Sequence, residues 1–166
     1  SDKKGGKVND DIPPEHLNKI EPGKHYGWPY CWANPKTNAM TEDPNFVGEA
    51  DFCKGATQPA TTFTSHSTPI GITFLDKSHF PDEYKNDAIV ALHGSWNRKE
   101  PSGYKLVRVK FKDGQPVDVI DFATGWLERN EAWGRPVDVI VGKDGALYVS
   151  DDRSGYIYRI TYRNLN

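Results

Sequence analysis

The sequence predicts an all-β fold of repeated four-stranded antiparallel blades, a part of a β-propeller. Three observations predict it. The 166 residues include 15 Gly, 12 Pro and 12 % aromatics with a single Met, a composition of turns and strands. Helix formers never hold a 3.6-residue spacing for more than a turn or two. From Ser67 onward, short apolar runs separated by Asp-Gly turns occur as one series and then begin again.

The chain is long enough for one domain with a core, burying about 68 to 70 % of the unfolded surface. A net charge of -2 and a pI near 6.2 argue against a nucleic-acid partner, which needs a basic face. The only basic cluster, Lys3, Lys4 and Lys7, sits at the terminus. No run of 18 apolar residues is present to span a membrane. Residues 1–11 lack the apolar segment of a secretory leader, so any leader has been removed or lies outside this sequence.

Taken in order, residues 1–11 read as a lead without structure of its own. Asp10-Asp11-Ile-Pro-Pro-Glu-His then predicts a short helical turn, with Asp11 as cap, Pro13 and Pro14 in the first turn, and Leu17 and Ile20 as its buried pair. Pro22-Gly23 marks a turn, after which Tyr26, Trp28 and Tyr30 alternate as in a short strand. From Trp32 to Ala60 there is no periodicity, and Pro35, Pro44 and Pro59 punctuate a long irregular excursion.

Cys31 and Cys53 are the only cysteines, and they form no C-x-x-C pair. Two free thiols of a reducing compartment and one disulfide both satisfy that spacing. A disulfide would restrain the unfolded state by about 3 kcal/mol, and the Asn-, Pro-, Thr- and Gly-rich loop it closes favours that choice and an oxidising compartment.

The first blade comprises strands at Ile70–Asp76, Asp87–His93, Tyr104–Phe111 and Val117–Phe122, with Lys112-Asp-Gly-Gln as a hairpin turn. The second repeats it as Val137–Val141, Ala146–Asp152 and Gly155–Tyr162, with Lys143-Asp-Gly as turn. In this alignment His93 falls on Asp151, while His66 and Arg135 each precede a first strand. The organisation is therefore an irregular segment with the remains of a blade over 1–66, a complete blade over 67–127 and a three-stranded last blade over 128–166. Because a propeller needs at least four blades, this reads as the C-terminal part of a larger ring.

The stretch from Asp87 to Arg98 carries the densest set of polar groups. An apolar strand ends in His93, Gly94, Ser95, Trp96, Asn97 and Arg98, and a guanidinium there suits carboxylates or carbonyls. Asp151-Asp152 suits a cation or a donor, although paired carboxylates at a strand end are more often turn formers. Ser95 stands outside a G-x-S-x-G elbow, the five histidines include no i,i+4 pair on a helix, and no G-x-G-x-x-G follows a strand. Serine-nucleophile, zinc and Rossmann chemistry are thus not signalled.

A set of motifs carries a resemblance: Asp10-Asp11-Ile-Pro-Pro, Tyr26-Gly-Trp-Pro-Tyr, His66-Ser-x-Pro-x-Gly, Ala91-Leu-His-Gly-Ser-Trp-Asn-Arg, Gly103-Tyr-Lys, Trp133-Gly-Arg-Pro-Val and Ser150-Asp-Asp-x-x-Gly-x-Ile-Tyr-Arg-Ile. Together they resemble the glucose/sorbosone dehydrogenase family. The resemblance implies a six-bladed propeller of which about two to three blades are present, in a secreted or periplasmic quinoprotein using pyrroloquinoline quinone (PQQ) and calcium. It implies oxidation of a sugar or aldose hydroxyl, with electrons passed to an external acceptor. His66, His93, Asn97, Arg98, Arg135 and Asp151 become the cofactor-facing set, with Arg135 foremost. His93 stands where some members carry Lys, and a histidine is only partly charged near neutrality. Asp10, Asp11 and Asn18, with the carbonyls just before them, become the calcium set. The catalytic base lies in an earlier blade, so this chain alone should be inactive, its ring completed by an N-terminal part or another copy. The competing expectation is a binding or interaction module that has lost the chemistry.

Overall fold

The structure, a computed structural model, describes residues 10–163. It contains two compact units, one reaching to His66 and including Asn97–Glu100, the other made of Ser67–Trp96 and the chain from Pro101 onward. The lead predicted over 1–11 lies mostly outside the described residues.

The first unit contains β1 (Glu15–Leu17), β2 (Cys31–Asn34), β3 (Ala39–Glu42), the six-residue helix α1 (Ala50–Gly55) and β4 (Thr61–Phe63). β1 pairs antiparallel with β4, Glu15 facing Phe63 and Leu17 facing Thr61. This corrects the helical turn expected after Asp11. Pro13 and Pro14 leave a one-turn helix few backbone donors, whereas an extended Glu15–Leu17 gains a partner strand. Ile20 is 75 % exposed, so the expected Leu17–Ile20 pair does not form.

Tyr26, Trp28 and Tyr30 do not form a strand either. Gly27 O accepts from the N–H groups of Tyr30 and Cys31 at 2.8 and 2.9 Å, folding the segment into turns that leave Trp28 exposed. The stretch 32–60 is also more regular than its lack of periodicity implied. β2 and β3 make a hairpin with Asn38 at φ 51° in its turn, and α1 follows. Cys31 and Cys53 are joined in a disulfide with a Cα–Cα distance of 5.6 Å, tying β2 to α1. Reduction, or the double replacement Cys31→Ser and Cys53→Ser, should lower stability by about 3 kcal/mol. Denaturant midpoints with and without reductant check this, and coincident midpoints would remove the disulfide from the stability argument.

The second unit opens with β5 (Pro69–Phe74), a 3₁₀ turn (Asp82–Tyr84), β6 (Ala88–Leu92), β7 (Lys105–Lys112) and β8 (Gln115–Ala123), hydrogen-bonded in the order β5-β6-β7-β8, all antiparallel. These are the four strands read from the sequence, with ends moved by one or two residues. Asp113 and Gly114 take φ values of 52° and 73°, the two positive angles a tight hairpin turn demands. A small hairpin follows, β9 (Leu127–Glu128) and β10 (Glu131–Ala132), turning at Arg129 and Asn130, both at positive φ. Then β11 (Pro136–Val141), β12 (Leu147–Asp151) and β13 (Ile157–Ile160) form the three-stranded sheet of the repeat.

Strand register corrects the sequence alignment by one residue. Pro69 faces Leu92 in the first sheet and Pro136 faces Asp151 in the second, each with a bulge just beyond. Leu92 therefore corresponds to Asp151, and His93 to Asp152. Arg135 likewise corresponds to Thr68, so His66 and Arg135 are not equivalent.

The core of this unit is formed by Leu75, Ile89, Ala91, Leu106, Trp126, Val139, Leu147 and Val149, with Phe80, Tyr84 and Phe122 packed on it. β6 is apolar and buried at all five positions, as expected of a strand covered on both faces. The two sheets meet where β11 packs against β5 and β6. Gly71 makes that approach possible, because a Cβ there would lie 2.6 Å from Asp138 Cα and 2.7 Å from Val137 O. Among the described residues one ion pair is buried: Arg108 Nε lies 2.6 Å from Asp87 Oδ2, with the two side chains 8 % and 5 % exposed.

Candidate functional site

Within the second unit, three polar side chains meet at the ends of the second strands. β6 stops at Leu92, but the backbone beyond it stays pinned: the N–H groups of His93 and Gly94 donate to Thr68 O and Ser67 O at 2.9 and 3.0 Å. Gly94 is at φ 115°, and a Cβ there would lie 2.4 Å from the Tyr104 ring, so only glycine lets the chain pass at this point. The result is a fixed direction for His93.

Arg135 enters β11 from the other side. Its Nε and Nη2 donate to Asp152 Oδ1 and Oδ2 at 3.0 and 3.1 Å, a two-pronged side-on pair. His93 Nε2 lies 3.2 Å from each of the same oxygens. A carboxylate only accepts, which assigns the His93 proton to Nε2. The His93 and Arg135 side chains are 18 % and 37 % exposed, so the cluster is reachable from solvent. Among the described residues, neither Arg135 Nη1 nor His93 Nδ1 has a protein partner.

Asp151 does different work. It is buried; its Oδ1 accepts from the backbone N–H groups of Arg135, Arg153 and Ser154 at 3.0, 2.9 and 2.8 Å, and its Oδ2 from the Tyr158 hydroxyl at 3.1 Å. Burial opposes its charge, but these donors outweigh burial and hold the carboxyl below its ordinary value. Asp151 is thus spent on organising the loop, and the residue in contact with Arg135 and His93 side chains is Asp152. No signal in the sequence separates Asp152 from Asp151; the strand register does, with a Pro facing each second-strand end.

The first unit holds the remaining expected site residues. Asn97 Nδ2 lies 3.5 Å from His66 Nδ1, and Asn97 Oδ1 is buried without a partner. Arg98 is used as a clamp on the backbone: Nη1 donates to Asp10 O and to Ser65 O at 3.2 Å, and Nε to Glu100 O at 2.9 Å. The Asp10 carboxylate accepts from Lys99 N at 3.2 Å, and Ser65 Oγ donates to Asp11 O at 2.5 Å. Thr62, Thr64, Asp10, Asp11 and Arg98 border an open pocket of about 330 Å³.

This arrangement bears on the expected calcium set. Asn18 Oδ1 is buried without a partner, but the Asp10 and Asp11 carbonyls already face donors, one of them a guanidinium that repels a second cation. Among the described residues no group of three His, Cys, Asp or Glu side chains converges. The carbonyls expected just before Asp10 lie outside the described residues. The atoms described do not fit a calcium ion at Asp10 and Asp11. For a carboxylate-bearing cofactor the donor set does fit, since Arg135 keeps an open guanidinium edge.

The family model described as TrAA12-like matches residues 2–163. The chain belongs to the TrAA12-like family. It is 33 % identical over 162 residues to an uncharacterized protein of Borreliella burgdorferi, covering 95 % of this chain and 41 % of that one. A pyrroloquinoline quinone-dependent pyranose dehydrogenase of Coprinopsis cinerea is 30 % identical over 168 residues, covering 81 % and 22 %. The holo form of a pyranose dehydrogenase PQQ domain from Coprinopsis cinerea superposes with a TM-score of 0.74 at 25 % identity, over 93 % of this chain and 46 % of that one. The calcium structure of the Trichoderma reesei family AA12 enzyme gives 0.72 at 24 % identity, over 90 % and 43 %, a likeness of fold. The chain thus spans less than half the length of each. The family read from the motifs is confirmed, and the all-β fold of antiparallel sheets agrees with it.

Proposed function

We propose that this chain is the C-terminal portion of a PQQ-dependent oxidoreductase acting on a sugar or aldose hydroxyl, its sheets being blades of a six-bladed ring. The observation that carries this is Arg135, fixed by Asp152 with one guanidinium edge open to an anion. When bound, PQQ supplies the two-electron oxidation and hands the electrons to an external acceptor. Arg135 holds a cofactor carboxylate through Nη1, and His93 orients the same end of the ligand. On this reading the general base that takes the hydroxyl proton belongs to blades outside this sequence.

The last sheet supports the reading that the ring is completed by another part. Among the described residues β13 pairs on one side only, and Ile140 and Ile157 are exposed on the sheet face. An N-terminal part or another copy would cover that edge and face. The disulfide supports an oxidising compartment, secreted or periplasmic, and among the described residues no helix is long and apolar enough to cross a membrane.

Titrating the chain with PQQ and following the quinone absorbance tests the reading. Arg135→Ala should weaken binding by about 10- to 100-fold, the loss of a charge-assisted contact. Equal binding by wild type and variant, or no binding by wild type, would end it.

A further inference from the structure

We propose that Asp152 is a positioning residue that sets the hydrogen-bond polarity of this site. It holds Arg135 side-on and keeps the neutral His93 ring in its Nε2–H form, so that the site offers one donor, Arg135 Nη1, beside one acceptor, His93 Nδ1. The inference rests on the PQQ reading for the identity of the ligand, and on geometry alone for the action of Asp152.

The geometry leaves little freedom. Arg135 Nε and Nη2 take one lone pair from each Asp152 oxygen, and His93 Nε2 sits equidistant from both at 3.2 Å. The carboxylate is then occupied along its whole edge, and neither neighbour can rotate without losing a charge-assisted bond. The backbones are fixed independently: Thr68 O receives His93 N, while Asp151 Oδ1 receives the N–H groups of Arg135, Arg153 and Ser154. Asp151 thus anchors the main chain around the cluster, and Asp152 aims its side chains.

The consequence bears on the role of His93, which stands where some members of the family carry Lys. A residue standing in place of a lysine would add positive charge toward a carboxylate. With Nε2 committed to Asp152, the neutral ring has only an acceptor left to offer. The site then recognises a carboxylate with an N–H or O–H donor next to it, and PQQ, which carries a pyrrole N–H beside a carboxylate, is of that class.

Two measurements on the full chain test this. In protein labelled with ¹⁵N histidine, at a pH where imidazoles are neutral, long-range ¹H–¹⁵N correlation should show His93 as Nε2–H. Asp152→Asn should convert it to a mixture of tautomers, with the other histidines unchanged as a check on folding. A wild-type Nδ1–H form, or an unchanged His93 in the variant, overturns the proposal. In PQQ titration, His93→Lys should weaken binding about tenfold because the acceptor is lost. Equal or tighter binding by that variant overturns the acceptor role. If wild type binds no PQQ while the tautomer behaves as stated, the cofactor reading falls and the positioning by Asp152 stands.

Discussion

Replacing Arg108 with alanine should lower stability by about 3 to 5 kcal/mol, the cost of leaving a buried charge without its partner. Arg108 Nε donates to Asp87 Oδ2 at 2.6 Å, its Nη2 donates to Glu83 O, and its guanidinium carbon sits 3.8 Å over the Tyr84 ring. Asp87 Oδ1 also accepts from Phe111 N at 2.8 Å, so this pair ties the 3₁₀ turn, the start of β6 and the end of β7 together. Truncating the arginine strands the carboxylate where water cannot replace the lost donor. The double variant Arg108→Met, Asp87→Ala should recover part of the loss, limited by the unpaired Phe111 N–H. Urea unfolding of the three proteins decides the matter. A single-variant loss below about 1 kcal/mol would mean that solvent reaches the pair.

Asp151→Ala should cost about 3 to 4 kcal/mol, because it removes the acceptor for three backbone N–H groups and a tyrosine hydroxyl at once. Asp151→Asn should cost less, since one amide oxygen remains to accept. The pH dependence has a definite sign. The carboxyl is held below its ordinary value of 3.8, so its stabilising contribution is complete above that value. It fades as the pH falls through the lower folded-state value. Wild type should therefore lose stability on acidification below about pH 4 more steeply than Asp151→Asn. Parallel curves for the two proteins would show that the charge of Asp151 contributes nothing.

Much of the second unit was legible in the sequence because its signals are local. Asp113-Gly114 supplies the positive φ angles of a hairpin turn, and the apolar run at Ala88–Leu92 is that of a covered strand. Registers were less legible. The bulges after Pro69 and Pro136 shift both sheets alike, so the pairing of His93 with Asp151 in the sequence alignment came from the second strands, whose apolar runs slide by one residue without loss of likeness: Phe74 faces Ala88 whereas Val141 faces Leu147. In the first unit, β1 is three residues long and owes its conformation to β4, more than 40 residues away in the chain. A preference that weak is decided by its partner, and the prolines that suggested a helical first turn served an extended strand equally well.

The site was legible as a list of residues and illegible as a set of roles. Arg98 and Arg135 look alike in sequence, each flanked by small or polar residues near a strand end. One is consumed by backbone carbonyls, the other by a carboxylate that leaves an edge free. Only the placement of acceptors separates them, and that depends on segments distant in sequence.

The close approach at Gly71 has a consequence for shape. Gly71, Ala91 and Leu106 lie side by side across β5, β6 and β7. Side-chain size rises along this row from Gly71 through Ala91 to Leu106 and falls again at Ala123, which faces Leu106 on β8. The two sheets come closest at β5 and β11, where backbone nearly meets backbone. Any side chain at Gly71 would press on the backbone of β11, so a single methyl group at this point would push the two sheets apart along their whole line of contact.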